Sequence, residues 1–206
     1  MENMKYDKLI STDGNKGSPV SYGLVQGSRE KAFVIKVGTD GSIRGYEDKY
    51  LRMALWIRER FGLTVLVAGN PRGSGYGIRD AFDVLEKNAE LSDPYEAYFM
   101  GVSKGAVDGA QEAYLFPQIK RLLLVNGPIM INTVRTLEGL LNFSGETCAL
   151  VYGGRDPSAR KVDIIRRFLK PQMECGRVRL FIEEKADHQY VGMLDEFMKL
   201  PELILT

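Results

Sequence analysis

The chain has 206 residues, of which 44% are hydrophobic and 27% are charged, and this balance favours one folded globular domain over a disordered segment. The 28 Lys and Arg residues against 27 Asp and Glu residues leave a net charge of +1, so composition predicts no general attraction to nucleic acid or to an anionic membrane. No run of apolar residues is long enough to span a bilayer. The polar start, Met1–Lys5, does not resemble a secretory signal, so we expect a cytoplasmic protein.

Short apolar runs alternate with longer amphipathic runs along the chain. The first two, Lys5–Thr12 and Val20–Gln26, flank a turn at residues 12–17 and are predicted to form an antiparallel hairpin. The strands predicted after the hairpin are Ala32–Val37, Leu63–Ala68, Ala97–Met100, Arg121–Val125, Thr147–Tyr152 and Val178–Ile182. The predicted helices are Glu47–Phe61, Ile78–Leu91, Lys104–Leu115, Thr133–Leu141, Ala159–Leu169 and Gln189–Leu200.

This alternation predicts the architecture of the whole chain. Strands and helices that alternate at this spacing favour an α/β fold, a three-layer sandwich joined by right-handed crossovers. We expect a mostly parallel eight-stranded sheet with a leading antiparallel hairpin. No internal repeat, low-complexity tract or linker interrupts the pattern, so residues 1–206 are predicted to form a single domain.

Cysteine and histidine are too scarce for most metal and redox sites. Cys148 and Cys175 are too few for a disulfide scaffold and too far apart for a CxxC pair. His188 is the single histidine, and its surroundings lack the ligand spacing of a zinc or iron site. We therefore expect no metal, and a small molecule rather than a nucleic acid or a membrane as the partner.

A serine stands between a predicted strand and a predicted helix, in the segment Gly101-Val102-Ser103-Lys104-Gly105. A G-x-S-x-G segment in this position forms a turn so tight that the residues two before and two after the serine must lack bulk. The hydroxyl is then placed at a helix N-terminus, where backbone N–H groups face any oxyanion that forms. The pattern predicts Ser103 as a nucleophile, and an ordinary glycine-rich turn is the alternative.

A serine nucleophile needs a base, and the base needs an acid that orients it. His188 follows the last predicted strand and has no competitor. The acid is expected after the strand between the serine and the histidine, where Asp156 follows two glycines and an arginine. Asp187, next to His188, is the competing candidate, but adjacent residues on an extended segment point to opposite sides. We therefore expect Asp156 to orient His188.

In these features the chain resembles the α/β-hydrolase family over almost its whole length. The order Ser103, Asp156, His188 matches the family's Ser–Asp–His order. Asn70–Gly77 is similar to the R-G-x-G-x-S loop of many members, with Gly77 where the family often has serine. The resemblance implies acyl transfer to the serine, a reaction that protein groups complete without a cofactor.

The resemblance also implies an oxyanion hole of two backbone N–H groups. One belongs to Lys104, which follows the nucleophile, and the other comes from the loop after the third strand. Many family members carry His-Gly in that loop, where this chain has Val37-Gly38. Thr39 follows the glycine and is the expected second donor. Asp40 remains open as the donor, and so does a polar turn with no role.

Family members often carry a cap between the sixth and seventh strands. Here residues 127–146 hold one short predicted helix, so we expect no cap insertion and an open site for small or exposed substrates. Ile129 and Met130 would stand near its mouth, with Met130 as a candidate substrate contact. Simple packing beneath the following helix is the alternative for both residues.

Three cations lie in loops or at a helix start beyond neighbouring strand ends: Arg72, Lys104 and Arg155. Together they predict a basic rim that binds an anionic substrate, with Arg72 as a candidate substrate contact. The alternative is that each cation is solvated or paired with a nearby acid.

The sequence thus predicts a serine hydrolase that cleaves a small carboxylic ester or thioester through an acyl-enzyme on Ser103. Two alternative functions from other functional classes stay open. One is an acyltransferase that uses the same three side chains, and the other is a non-catalytic binding module that retains the fold.

Overall fold

One eight-stranded sheet organises the protein, whose computed structural model describes residues 4–13 and 18–206. The strands are β1 (Lys8–Thr12), β2 (Val20–Val25), β3 (Lys31–Lys36), β4 (Thr64–Ala68), β5 (Glu96–Val102), β6 (Ile119–Val125), β7 (Thr147–Gly153) and β8 (Val178–Glu183). Their order is β1-β2-β4-β3-β5-β6-β7-β8. β2 is antiparallel to both of its neighbours, and the other neighbouring pairs are parallel. The predicted fold class is confirmed.

Helices cover both faces of this sheet. They are α1 (Lys49–Phe61), α2 (Ile78–Asn88), α3 (Lys104–Glu112), α4 (Thr133–Asn142), α5 (Val162–Phe168), α6 (Lys170–Glu174), α7 (Leu194–Lys199) and α8 (Glu202–Leu205). Apolar side chains of α1, α7 and α8 form the core on one face, and those of α2 to α6 form the core on the other. The result is the predicted three-layer arrangement. Across residues 4–13 and 18–206, none of the helices has the length and apolar character needed to cross a membrane.

The central strands are buried on both faces, as their continuous apolar runs predict. In β4, Val65 and Val67 point into the α1 core, whereas Leu66 and Ala68 point into the α2 core. Successive side chains of a strand alternate between faces, so a strand covered on both sides needs an apolar residue at every position. The helix before β4 ends at Gly62 as predicted, with the left-handed φ of 72° that glycine adopts readily.

The last predicted helix, Gln189–Leu200, is wrong in its first half, because α7 begins only at Leu194. Tyr190 and Gly192 adopt left-handed φ angles of 59° and 72°, which break a helix. The side chain of Asp187 accepts N–H hydrogen bonds from Gln189 and Val191 and folds this segment into a turn.

The predicted helix Ala159–Leu169 is divided differently in the structure. A short 3₁₀ helix, Pro157–Lys161, precedes α5, and α6 follows with no counterpart in the prediction. Pro171 lies in the first turn of α6, a position that does not need the N–H that proline lacks. Of the predicted hairpin turn, residues 14–17 lie outside the described residues, as do residues 1–3 of the polar start.

Candidate active site

Ser103 occupies a sharp turn between β5 and α3, with φ 53° and ψ −116°. A Cβ atom on Gly101 would lie 2.3 Å from the carbonyl oxygen of Gly105, and a Cβ on Gly105 would lie 2.1 Å from the carbonyl oxygen of Lys36. Both distances are far inside van der Waals contact, so neither position accepts a side chain. The spacing of the two glycines therefore permits the turn that lifts Ser103 above the sheet.

Side chains that follow three different strands meet at this turn. Ser103 follows β5, Asp156 follows β7, and His188 follows β8. His188 Nε2 lies 3.0 Å from Ser103 Oγ, and His188 Nδ1 lies 2.5 Å from Asp156 Oδ2. Asp156 is buried, and its other oxygen, Oδ1, accepts a hydrogen bond from the backbone N–H of Ser158. The arrangement can relay the serine proton to the imidazole and hold the imidazolium that results.

Asp187, the competing candidate, has its carboxylate engaged elsewhere. Its Oδ1 accepts N–H hydrogen bonds from Gln189 at 2.9 Å and from Val191 at 3.1 Å. Burial raises the pKa of Asp187, but backbone N–H groups and the nearby His188 outweigh that effect and lower the pKa overall. Asp187 therefore shapes the turn that carries His188, whereas Asp156 contacts the imidazole.

Two backbone N–H groups near Ser103 are free to donate hydrogen bonds to a developing oxyanion. Within the part of the chain that the structure describes, the N–H groups of Thr39 and Lys104 have no hydrogen-bond acceptor. The N–H of Asp40, the open alternative, donates to the carbonyl oxygen of Asn70 at 2.8 Å. A Cβ on Gly38 would lie 3.0 Å from Ser103 Cβ, so this loop packs directly against the serine. The geometry favours Thr39 over Asp40 as the second donor.

A cavity of about 510 Å³ opens beside Ser103 and His188. Its other walls are residues 38–42 of the loop after β3, the start of α1 and Gln189. The lining is rich in glycine and polar groups, and Val102 and Tyr50 are among its few apolar contributions. The cavity therefore offers little surface to a long apolar chain.

Two of the three cations of the predicted basic rim are paired with acids. The third, Arg155, is exposed, has no acid within 4.0 Å among the described residues, and does not line the cavity beside Ser103. Arg72 is 80% exposed, and its Nη2 lies 3.1 Å from Asp40 Oδ2. The ammonium group of Lys104 contacts the carboxylate of Asp108. Both pairs match the alternative interpretation, in which these cations bind nearby acids. Arg72 lines a neighbouring cavity of about 410 Å³ and does not line the one beside Ser103.

Met130, the predicted substrate contact, does not line the cavity beside Ser103. Met130 is 60% exposed in the segment that joins β6 to α4. Ile129 is buried instead, and it packs with Leu140 of α4 in the core. The alternative of packing beneath the following helix therefore describes Ile129.

Asn126, directly after β6, is a site residue that the sequence analysis missed. It is fully buried, and its Nδ2 donates to the carbonyl oxygens of Asp187 at 3.2 Å and His188 at 3.1 Å. Its Oδ1 accepts the N–H of Gly153 at 2.7 Å. One side chain thus ties the His188 loop to the start of the Asp156 loop. A polar residue at the end of the apolar run Arg121–Val125 was the available signal.

We expect Asn126→Ala to lower both stability and turnover. The variant leaves two carbonyl oxygens and one N–H without their partner. Each buried group that stays unsatisfied lowers the free energy of unfolding by about 1–3 kcal/mol. Displacement of the His188 loop by ~1 Å is expected to lower kcat by ~10²-fold with little change in KM. Urea unfolding and steady-state kinetics on a soluble ester measure the two effects.

Gln111→Ala is the matched control for this variant. Gln111 is also buried, and its Nε2 donates to the carbonyl oxygen of Ile131 and to Thr136 Oγ1, away from His188. It is expected to lower stability but to leave kcat unchanged in the folded protein. Equal kcat values for the two variants would contradict a positioning role for Asn126.

In the described part of the chain, the cysteines and acids add no metal site. Burial raises the pKa of Cys148 to about 12, so its thiol stays protonated in the core. Among residues 4–13 and 18–206, no group of three or more His, Cys, Asp or Glu side chains is placed to hold a metal ion.

Several solved structures share this architecture. Est1E from Butyrivibrio proteoclasticus superposes with a TM-score of 0.74 at 14% identity, over 96% of this chain and 97% of that one. The Pyrococcus furiosus esterase Pf2001 gives 0.69 at 13% identity, over 97% and 93%. An alpha-beta serine hydrolase homologue from Coxiella burnetii gives 0.67 at 15% identity, over 97% and 98%. No protein-family model and no curated protein matches the sequence. The chain has the α/β-hydrolase fold.

Proposed function

We propose that this α/β-hydrolase-fold protein is a single-domain serine hydrolase that cleaves a small carboxylic ester or thioester through an acyl-enzyme on Ser103. The observation that carries the proposal is the hydrogen-bonded series from Ser103 through His188 to Asp156, beside two free backbone N–H groups. A similar fold in a protein named an esterase supports the same class of reaction. Small molecules are its partners, and the reaction needs no cofactor.

The first half of the reaction transfers the acyl group to the serine. Ser103 Oγ attacks the carbonyl carbon while His188 Nε2 accepts the hydroxyl proton, and the carbonyl oxygen becomes an oxyanion. The N–H groups of Thr39 and Lys104 stabilise that charge, and the positive end of α3 adds to their effect. The intermediate then expels the alcohol or thiol, which takes the proton from His188 and leaves Ser103 acylated.

The second half releases the acid. His188 Nε2 takes a proton from water, whose oxygen attacks the acyl carbon, and the oxyanion forms again between the same N–H groups. Collapse returns the proton to Ser103 Oγ and frees the carboxylic acid. Throughout, Asp156 keeps Nδ1 protonated so that Nε2 is free to accept, and it stabilises the positive imidazolium.

A fluorophosphonate probe tests the proposal directly, because it reacts with an activated serine and not with an ordinary one. Intact mass and peptide mapping should show one adduct per chain, on Ser103. Turnover of p-nitrophenyl esters and acyl thioesters, measured on the same preparation, should be lost in step with labelling. Labelling at another serine would contradict the assignment of Ser103 as the nucleophile. A protein that binds an ester but is not labelled would contradict the proposal and favour a binding module.

Short acyl chains are expected to be the better substrates. Between β6 and β7 the described chain has α4 as its one α-helix, so we infer that no cap insertion builds a tunnel over the site. A longer chain gains ~0.8 kcal/mol per methylene only where a groove buries it, and this cavity is polar. We expect p-nitrophenyl acetate and butyrate to have higher kcat/KM than the decanoate. A steady rise in kcat/KM out to decanoate would contradict this prediction.

A further inference from the structure

The cavity beside Ser103 contains one buried cation that the proposed reaction does not use. Lys49 is the first residue of α1 and is only 6% exposed, yet it lines the same cavity as Ser103 and His188. A charged side chain is seldom buried unless a partner compensates it, because removal from water is unfavourable. What compensates Lys49 is therefore informative about the cavity.

The contacts of Lys49 leave its charge without a bound anion. Its Nζ donates to the carbonyl oxygen of Gln189 at 3.2 Å and lies 4.4 Å from the ring centroid of Phe197 and 5.3 Å from that of Tyr50. Among the described residues, no carboxylate oxygen lies within 4.0 Å of Nζ. Burial lowers the pKa of Lys49, and the more distant Asp187 partly opposes that effect. An ammonium has three N–H donors, so donors remain for a ligand.

The acids near the cavity are already engaged. Asp40 lines it, but its Oδ2 binds Arg72 and its Oδ1 accepts the backbone N–H of Arg72. The carboxylate of Asp187 binds the N–H groups of its own turn. Lys49 is therefore a cation of the cavity lining that has no acidic partner among the described residues. A carbonyl oxygen and two aromatic rings compensate its charge only in part, so the region favours an anion.

We propose that Lys49 binds a carboxylate group of the substrate, so that the preferred substrates are small esters or thioesters that carry one free carboxylate. This inference rests on the proposed function and specifies its substrate class. A single cation matches a single negative charge, whereas a phosphate dianion would call for a second cation. Arg72 and Lys104 are held by acids, and Arg155 does not line the cavity. The polar lining suits a short, charged substrate rather than a long acyl chain.

Matched pairs of esters test the proposal. On the acyl side, mono-4-nitrophenyl adipate is compared with 4-nitrophenyl methyl adipate, and on the alcohol side, 4-acetoxybenzoate is compared with 4-acetoxybenzamide. The readout is the ratio of kcat/KM for the carboxylate to kcat/KM for its neutral match. We expect this ratio to exceed one in at least one pair and to fall ~10–100-fold in Lys49→Met, as for loss of a charged hydrogen bond.

The ratio separates recognition from a structural role. Lys49 also binds the carbonyl that follows His188, so Lys49→Met could slow every substrate, but a general loss cancels in the ratio. Lys49→Arg should keep the preference, and Lys49→Gln serves if the Met variant does not fold. In Arg72→Gln the ratio should stay unchanged, because Arg72 is exposed and paired. A buried contact should also persist at high salt, where exposed charges are screened.

The outcomes distinguish the inference from the proposed function. If the wild-type ratio is one for both pairs, or if Lys49→Met leaves it unchanged, the carboxylate proposal is wrong while ester hydrolysis stands. A ratio that falls in Arg72→Gln instead would assign recognition to the exposed rim and would overturn the role of Lys49. If neither ester of any pair is cleaved and Ser103 is not labelled, the proposed function itself fails.

Discussion

Ser103→Ala is expected to lower kcat for ester hydrolysis by ~10⁴–10⁶-fold. The variant removes the hydroxyl that lies 3.0 Å from His188 Nε2, and among the described residues Nε2 has no other hydrogen-bond partner to activate. The free energy of unfolding should change little, because alanine and serine share the φ preference and nearly the same volume. Release of p-nitrophenol from the acetate ester measures turnover, and circular dichroism confirms that the variant is folded.

Ser42→Ala is the control for Ser103→Ala. Ser42 lines the same cavity, and its Oγ accepts the backbone N–H of Gly45 rather than contacting His188. Loss of this turn contact should leave kcat within ~10-fold of the unaltered protein. If Ser103→Ala retained more than about a tenth of the activity, the nucleophile would have to be another group.

The sheet and its order of elements follow from patterns that are local in the sequence. A strand covered on both faces needs apolar residues at every position, and the run Leu63–Ala68 shows that requirement directly. The glycine at position 62 predicts the end of α1 because few other residues adopt its left-handed conformation. Both features depend on neighbours in the chain, so sequence reasoning reaches them.

The candidate site could be predicted in part because of one topological rule. Parallel strands place their carboxyl ends at the same edge of a sheet, so side chains that follow β5, β7 and β8 converge although they lie far apart in sequence. The single histidine removed the ambiguity of the base. The choice between Asp156 and Asp187 required a geometric argument. In the structure Asp156 contacts the imidazole, whereas Asp187 accepts an N–H group of its own turn.

The rest of the site depends on contacts that no local pattern encodes. Lys49 meets the carbonyl of Gln189 across 140 positions of the chain, and Asn126 reaches the His188 loop across 62. The pairing of Arg72 with Asp40 depends on how two loops pack, which the sequence does not show. Charge alone therefore predicts a basic rim. Similarly, the late start of α7 depends on the turn that Asp187 stabilises after the last strand.

Asp156→Asn is expected to lower kcat by ~10⁴-fold, with the protein still folded and with substrate binding largely retained. An asparagine NH₂ group at this position would donate to His188 Nδ1 and so place the imidazole proton on Nε2. Nε2 could then no longer accept the proton of Ser103, and the imidazolium would lose the negative charge beside it. Rates with p-nitrophenyl acetate, measured alongside KM, test this expectation.

Asp187→Asn is the matched control, because it makes the same chemical change one residue away from the base. The asparagine oxygen can still accept the N–H groups of Gln189 and Val191, so the turn that carries His188 should persist. We expect a decrease in kcat of no more than ~10-fold, a small effect beside the loss at Asp156. The opposite ranking, with Asp187→Asn the more damaging variant, would identify Asp187 as the orienting acid and would require the His188 ring to turn away from Asp156 during the reaction.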